Sequence, residues 1–212
     1  MRHLIAASLM LVLAACATPP AEQQAAIDSK PVCCESLADM SYGTLEPDKL
    51  NIANLDETAK VFNFGKSKGH FVAYNVAGDD KRYIFVKSYF NGILVGQYLL
   101  PIFHFLDDRH QPIRSSIPRM KFTEGNLFGP ERNDHMAGVV QIPPNASYVV
   151  ITNNTNDLPA ETAQQSPQVT ALLIGGSPVV MTSQGAAVKL THSPMGQLKL
   201  QIFTPQFPAA KP

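Results

Sequence analysis

Cysteines, histidines and clustered acids are the side chains of this sequence with chemistry to offer, and they are sparse. Three cysteines and six histidines are spread over 212 residues. His70, His104, His110, His135 and His192 stand apart from one another. No G-x-S-x-G elbow, H-E-x-x-H pair, phosphate-binding loop or G-x-G-x-x-G turn occurs. Asp107-Asp108-Arg109-His110 joins acid, base and cation types. Aspartates at a strand end favour turns by accepting hydrogen bonds from their own backbone, so a turn is the expected role there. His104 lies between Phe103 and Phe105 and should project to the opposite side of a strand, as a satisfied or surface imidazole. A carboxylate pair for glycoside hydrolysis could be drawn from several acids, but the sequence selects none. Cys33 and Cys34 have no histidine close by, which is weak grounds for a metal site. No cofactor, no metal and no enzymatic activity are expected.

Cys16 is different, because of what precedes it. Met1-Arg2-His3 is a short basic start, and Leu4 to Leu13 is an unbroken apolar run. That order reads as a secretory signal. The run is too short to cross a hydrocarbon core, which takes about 20 helical residues. Leu13-Ala14-Ala15-Cys16 then resembles the bacterial lipobox, a small-residue neck before a thiol that is acylated and becomes the mature N-terminus. Residues 1–15 are therefore expected to be removed and Cys16 to be lipidated. Acyl chains hold a protein stably only when more than one is present, and the modification this motif implies supplies three. Ala17, in place of an aspartate, favours the inner leaflet of the outer membrane, facing the periplasm.

In such an oxidising compartment thiols tend to pair. Neighbouring residues have Cα atoms about 3.8 Å apart, below the usual disulfide span of about 4.4–6.8 Å. Cys33 and Cys34 thus remain open between a strained vicinal bridge, two buried thiols and intermolecular pairing. A redox switch is the less expected role.

Aromatic residues are the other candidates. There is no tryptophan, with six tyrosines and 11 phenylalanines. Tyr83, Phe85 and Tyr89 share one side of a strand and could form a stripe for a saccharide, although packing against a sheet face explains them as well. Gln111–Arg132 reads as a long surface excursion, a solvated loop or a partner-binding one. Arg114 and Arg119, with Arg109, Lys121 and Arg132, give it local basic charge that Asp107, Asp108, Glu124 and Glu131 mostly offset.

The elements that must carry these residues are mostly strands. Phe71–Val76 and Arg82–Tyr89 are rich in β-branched and aromatic residues and are separated by Gly78-Asp79-Asp80-Lys81. Further strand candidates are Leu100–Leu106, His135–Ile142, Tyr148–Thr152, Gln168–Ile174, Val179–Thr182, Ala187–Thr191 and Leu198–Phe203. Pro, Gly and Asn punctuate them, as in an antiparallel sandwich. Cys34–Met40 reads as a short helix, and Leu50–Lys60 shows no firm period. Seventeen prolines and 13 glycines with 45% apolar residues fit a turn-rich β protein. The expected organisation is a signal over 1–15, a lipidated N-terminus and flexible tether over 16–32, one mainly β, antiparallel sandwich-like domain over 33–207 with a short N-terminal helix, and a tail over 208–212.

Basic and acidic residues number 17 each, and loss of Arg2 with the signal leaves the mature chain slightly acidic. That argues against an electrostatic partner such as nucleic acid, which requires a basic face.

Several segments are similar to the maltose operon periplasmic protein family. They are Phe71-Val-Ala-Tyr-Asn-Val76, Phe103-His-Phe-Leu-Asp107 with Pro112, Gly138-Val-Val-Gln-Ile-Pro143, Tyr148-Val-Val-Ile-Thr152, Gly196-Gln-Leu-Lys-Leu200 and the Leu37–Leu45 opening. The resemblance runs in consistent order over roughly residues 33–204. It implies a periplasmic protein linked to carbohydrate uptake, with no catalytic residues to carry over. The chain departs from the family in its lipobox and in lacking a long C-terminal extension. The expected role is a non-enzymatic envelope accessory that touches the bilayer through Cys16 and contacts a porin, a transport component or a saccharide. An envelope glycan hydrolase and a purely structural module are the alternatives.

Overall fold

The computed structural model describes residues 18–47, 49–65, 67–76, 78, 81–91, 96–125, 130–153, 161–164, 168–174, 177–183 and 187–205, with side chains left undescribed over 161–183 and at 188. The signal, Cys16 and the C-terminal tail lie outside these residues. Among the described residues no helix is long and apolar enough to cross a membrane.

The protein is mostly β. One sheet runs in the order β1 (Gly43–Thr44), β4 (Ser67–Asn75), β11 (Tyr148–Asn153), β7 (Pro101–Leu106), β8 (Pro112–Ser116), with β3 (Val61–Phe64) also on β4. The other centres on β5 (Tyr83–Asn91), which pairs β10 (His135–Gln141) on one side and β16 (Gly196–Phe203) on the other. β9 (Lys121–Thr123) extends it beyond β10, and β2 (Asn51–Leu55) beyond β16. β6 (Gln97–Tyr98), β15 (Ala187–His192) and β12 (Glu161–Gln164) continue from the end of β5. β13 (Gln168–Ile174) and β14 (Ser177–Ser183) form a separate hairpin. The antiparallel sandwich-like fold read from strand texture and turn residues is what the chain adopts.

Period-two alternation explains how two sheets share one core. Val149 and Ile151 of β11 face inward with Phe103 and Phe105 of β7, against Ile84 and Val86 of β5 and Leu198 and Leu200 of β16. Their neighbours Phe71, Ala73, Leu106 and Val150 point to the opposite side of the first sheet. Water is excluded there too, because the N-terminal segment crosses that face and packs Cys34, Leu37, Met40 and Tyr42 onto it. Cys33 and Cys34 are joined in a vicinal disulfide, which decides among the pairings left open by the sequence. The Cys33 N–H bonds the Val61 carbonyl, so the bridged pair lies against β3.

Three expectations need correction. The flexible tether expected over 16–32 is not free where it is described: Pro20–Ser29 is a helix, α1, with Ile27 fully buried. Alanine, glutamine and glutamate favour helix there, Pro20 occupies the first turn where its missing N–H does no harm, and Pro31 pushes Lys30 to extended backbone. Gln111–Arg132 is not all loop, since β8 and β9 lie on the outer edges of the two sheets and the chain between them crosses from one to the other. Strand pairing supplies order that the prolines had masked. Cys34–Met40 contributes only one 3-10 turn, Leu37–Asp39, in which Ser36 and Asp39 cap each other.

The acid-rich Asp107–His110 stretch is the β7–β8 turn. Asp107 Oδ1 accepts from the N–H of Arg109 at 2.9 Å and of Gln111 at 2.7 Å. His110 takes a positive φ of 59°, uncommon for a residue with a Cβ. Its ring is held by a stack on Tyr148 at 4.3 Å and by Tyr42 at 5.1 Å. Aspartate serves the turn here, as its backbone-bonding habit implied.

Candidate functional site

Tyr83, Phe85 and Tyr89 alternate with the core residues Ile84, Val86 and Ser88 of β5, so all three reach the outer face of the eight-stranded sheet. The register sets their neighbours. Phe203 of β16 lies opposite Tyr83, with rings stacked at 5.7 Å. Val139 of β10 lies opposite Phe85 and is 48% exposed. Ile52 of β2, 59% exposed, lies opposite Lys199. The stripe read from one strand is therefore part of a wider, half-exposed apolar face.

Charge is organised on the same face. Lys87 and Lys199 lie directly opposite each other on β5 and β16, a like-charged pairing that destabilises a sheet. Glu131 resolves it. Its Oε2 accepts from Lys87 Nζ at 2.8 Å and from the Tyr89 hydroxyl at 2.7 Å, with Lys199 Nζ at 3.8 Å. Lys199 Nζ also sits 4.4 Å from the centre of the Tyr89 ring, within cation–π range. Burial works to raise the Glu131 pKa, but the Lys87 and Tyr89 hydrogen bonds and the two lysine charges hold it below the usual carboxylate range. Burial, then the bond to Glu131, pushes the Tyr89 hydroxyl well up. Replacing Glu131 with alanine leaves two facing lysines and should lower unfolding stability by on the order of 1–3 kcal/mol. Because the carboxylate's folded pKa is depressed, that difference should be full near neutral pH and vanish as acid protonates Glu131. Urea titrations of both proteins at neutral and acid pH would measure it.

Glu131, Lys199 and Phe203 were not singled out from sequence. Strand parity in Gly196–Phe203 places Lys199 and Phe203 on one side, but nothing local pairs Glu131 with β5. Arg114 and Arg119 do not join this face: Arg114 is exposed on the edge strand of the other sheet, and Arg119 is exposed in the crossing segment.

A second feature is a cleft of about 580 Å³ at one end of the sandwich, with Asn54, Asp56, Glu57, Thr58, Asn91 and Gln197 in its wall. Gln197 Nε2 donates to Asn54 Oδ1 at 3.0 Å across the β16–β2 pair. Asp56 Oδ1 accepts from the Thr58 hydroxyl at 2.6 Å and the Thr58 N–H at 2.8 Å, which hold its carboxyl below the ordinary range. Such a carboxylate is an acceptor for hydroxyl or ammonium donors and a poor proton donor. Among the described residues no group of three or more His, Cys, Asp or Glu side chains could hold a metal ion.

Two histidines are structural. His70 is fully buried on β4, and its Nδ1 lies 3.0 Å from the Ala59 carbonyl, so that nitrogen carries the proton. His104 stacks on Phe64 at 5.3 Å with Nδ1 2.8 Å from Ser115 Oγ. The Nε2 atom of each is buried without a hydrogen-bond partner, so protonation would place an unpaired cationic N–H in the interior. Burial accordingly lowers both pKa values, with the Lys30 charge adding to the effect at His70. The unfolded chain therefore takes up these protons first. Stability should be full above about pH 6.5, decline as pH falls toward the folded values, and then level off; His70→Gln should flatten part of that decline in urea midpoints.

No protein-family model, no curated protein and no solved structure matches the chain.

Proposed function

We propose that the mature chain is a lipid-anchored, periplasm-facing binding protein of the bacterial envelope, a non-enzymatic accessory of carbohydrate transport or envelope function. Acylated Cys16 holds it on the inner leaflet of the outer membrane. The outer face of the eight-stranded sheet, bearing Tyr83, Phe85, Phe203 and Val139, contacts a porin, another transport component or a saccharide.

The observation that carries this reading is that sheet face. Large aromatic and aliphatic side chains stay half-exposed on it around a satisfied charge cluster, which is the make-up of a recognition surface. The segments similar to the maltose operon periplasmic protein family support the carbohydrate context. Asp56 and Glu131 both sit below the ordinary carboxylate range, so neither suits the raised-pKa acid that glycan cleavage needs.

Crosslinking in intact cells, comparing the native chain with a Phe85→Ser, Val139→Asp double variant, tests the surface. A porin or transport protein captured by the first and lost with the second is the expected result; lipid and peptidoglycan neighbours alone would sink the transport role. The anchor is tested separately. Cys16→Ala should move the protein from the membrane fraction to the soluble periplasm, and continued tight membrane association would refute lipidation at this residue.

A further inference from the structure

The helix that replaces the expected tether fixes more than its own position. α1 caps one end of the sandwich and is bonded to both sheets. On one side, Ser193 Oγ donates to Gln23 Oε1 at 2.7 Å. On the other, Gln24 Nε2 donates to the Lys68 carbonyl at 3.0 Å, and Lys68 Nζ returns bonds to the carbonyls of Asp28, at 2.9 Å, and of Lys30. Lys30 Nζ reaches the Glu57 carbonyl in the β2–β3 loop. Gln23 Nε2 donates back to the Thr18 carbonyl at 2.7 Å, so the order extends to Thr18, which also lines the end cleft.

Only Ala17 then stands between Thr18 and Cys16, so their α-carbons are at most about 7 Å apart. We infer that this end of the sandwich, formed by α1, the Asp56–Thr58 loop and the Ser193–Gln197 turn, lies against the bilayer surface as a membrane-apposed face. The inference rests on the lipid-anchor reading above. The end cleft, with Asn54, Asp56 and Gln197 in its wall, opens at headgroup level. The opposite end carries the Asp107–Gln111 and Pro143–Ser147 turns. It stands off by the length of β4, nine residues or about 25–30 Å. Charge does not set this orientation: Glu22, Asp28, Asp56 and Glu57 share the apposed end with Lys30, Lys60 and Lys68. It is set by a short covalent link to a docked helix, and so should be insensitive to salt.

A photo-crosslinking amino acid placed singly at Glu57, Gln197, Asp108 or Asn145 of the full chain, in membranes, tests the inference. All four positions are exposed. Phospholipid adducts are expected at Glu57 and Gln197, unchanged at high salt, with none above background at Asp108 and Asn145. Inserting a flexible Gly/Ser linker between Ala17 and Thr18 should abolish the difference while leaving the protein in the membrane fraction. Equal labelling at all four positions of the membrane-bound native-length chain would overturn the orientation and leave the anchor standing. A native chain found in the soluble fraction would remove the anchor, and the inference with it.

Discussion

Phe103→Ala is expected to lower the free energy of unfolding by about 3–5 kcal/mol, the range for deleting a buried aromatic ring from a packed core. Phe103 is fully buried at the middle of β7, in the cluster both sheets share, with its ring 6.4 Å from that of Phe105. Truncation removes apolar contact area and leaves a hole that two hydrogen-bonded sheets cannot close by moving together. For a domain of this size each kcal/mol shifts the thermal midpoint by roughly 2–4 °C, so the change should be plain in a melting scan. Phe85→Ala is the control. It removes the same ring from a strand of the same texture, but from the half-exposed outer face, and should change stability by about 0.5 kcal/mol or little more. Equal losses in the two variants would show that the faces of the two sheets are assigned wrongly.

The second large effect is expected from Ile27→Asp. α1 presents no apolar stripe: Ile27 is its one buried aliphatic side chain, and Gln23 is buried beside it. Docking therefore depends on one apolar contact plus the hydrogen bonds from Gln24, Ser193 and Lys68. Loss of a buried isoleucine side chain costs about 2–5 kcal/mol, and burying a carboxylate in its place adds a penalty that the helix avoids by undocking. Detached, ten residues have too little helix propensity to stay folded. The expected result is local: new protease cleavage and fast amide exchange over residues 18–31, with the thermal midpoint of the sandwich little changed. Cooperative loss of the whole domain would mean that α1 belongs to the core. In the membrane, the same variant should lose the contrast between Glu57 and Asp108 in lipid crosslinking, as the flexible linker does.

These two side chains also mark how far the sequence could be read. Phe103 sits in an alternating run bounded by turn residues, and alternation alone placed it opposite His104, where the structure has it. Asp107 followed the same logic, since an aspartate makes its turn by bonding amides two and four residues away. Ile27 gave no such signal, because one isoleucine among alanines and glutamines carries no period. The prolines of Gln111–Arg132 concealed β8 and β9, which exist as strands because β7 and β10 offer them partners.

The candidate site divides in the same way. That Tyr83, Phe85 and Tyr89 share a side of β5 was legible, because side-chain direction along a strand is local geometry. That Phe203, Val139 and Ile52 complete the face was not, since strand order and register are chosen by contacts between segments far apart in the chain. Glu131 shows this most clearly: it meets Lys87 and Lys199 only once β5 and β16 are neighbours. What the sequence determined by itself is what short-range chemistry decides, namely strand texture, turn residues and the alternation of faces. The linear pattern ending at Cys16 can likewise be read without a fold. Tertiary structure decided the pairing of the sheets, the joining of Cys33 to Cys34 and the docking of α1. Each depends on burying surface that no one segment can bury alone.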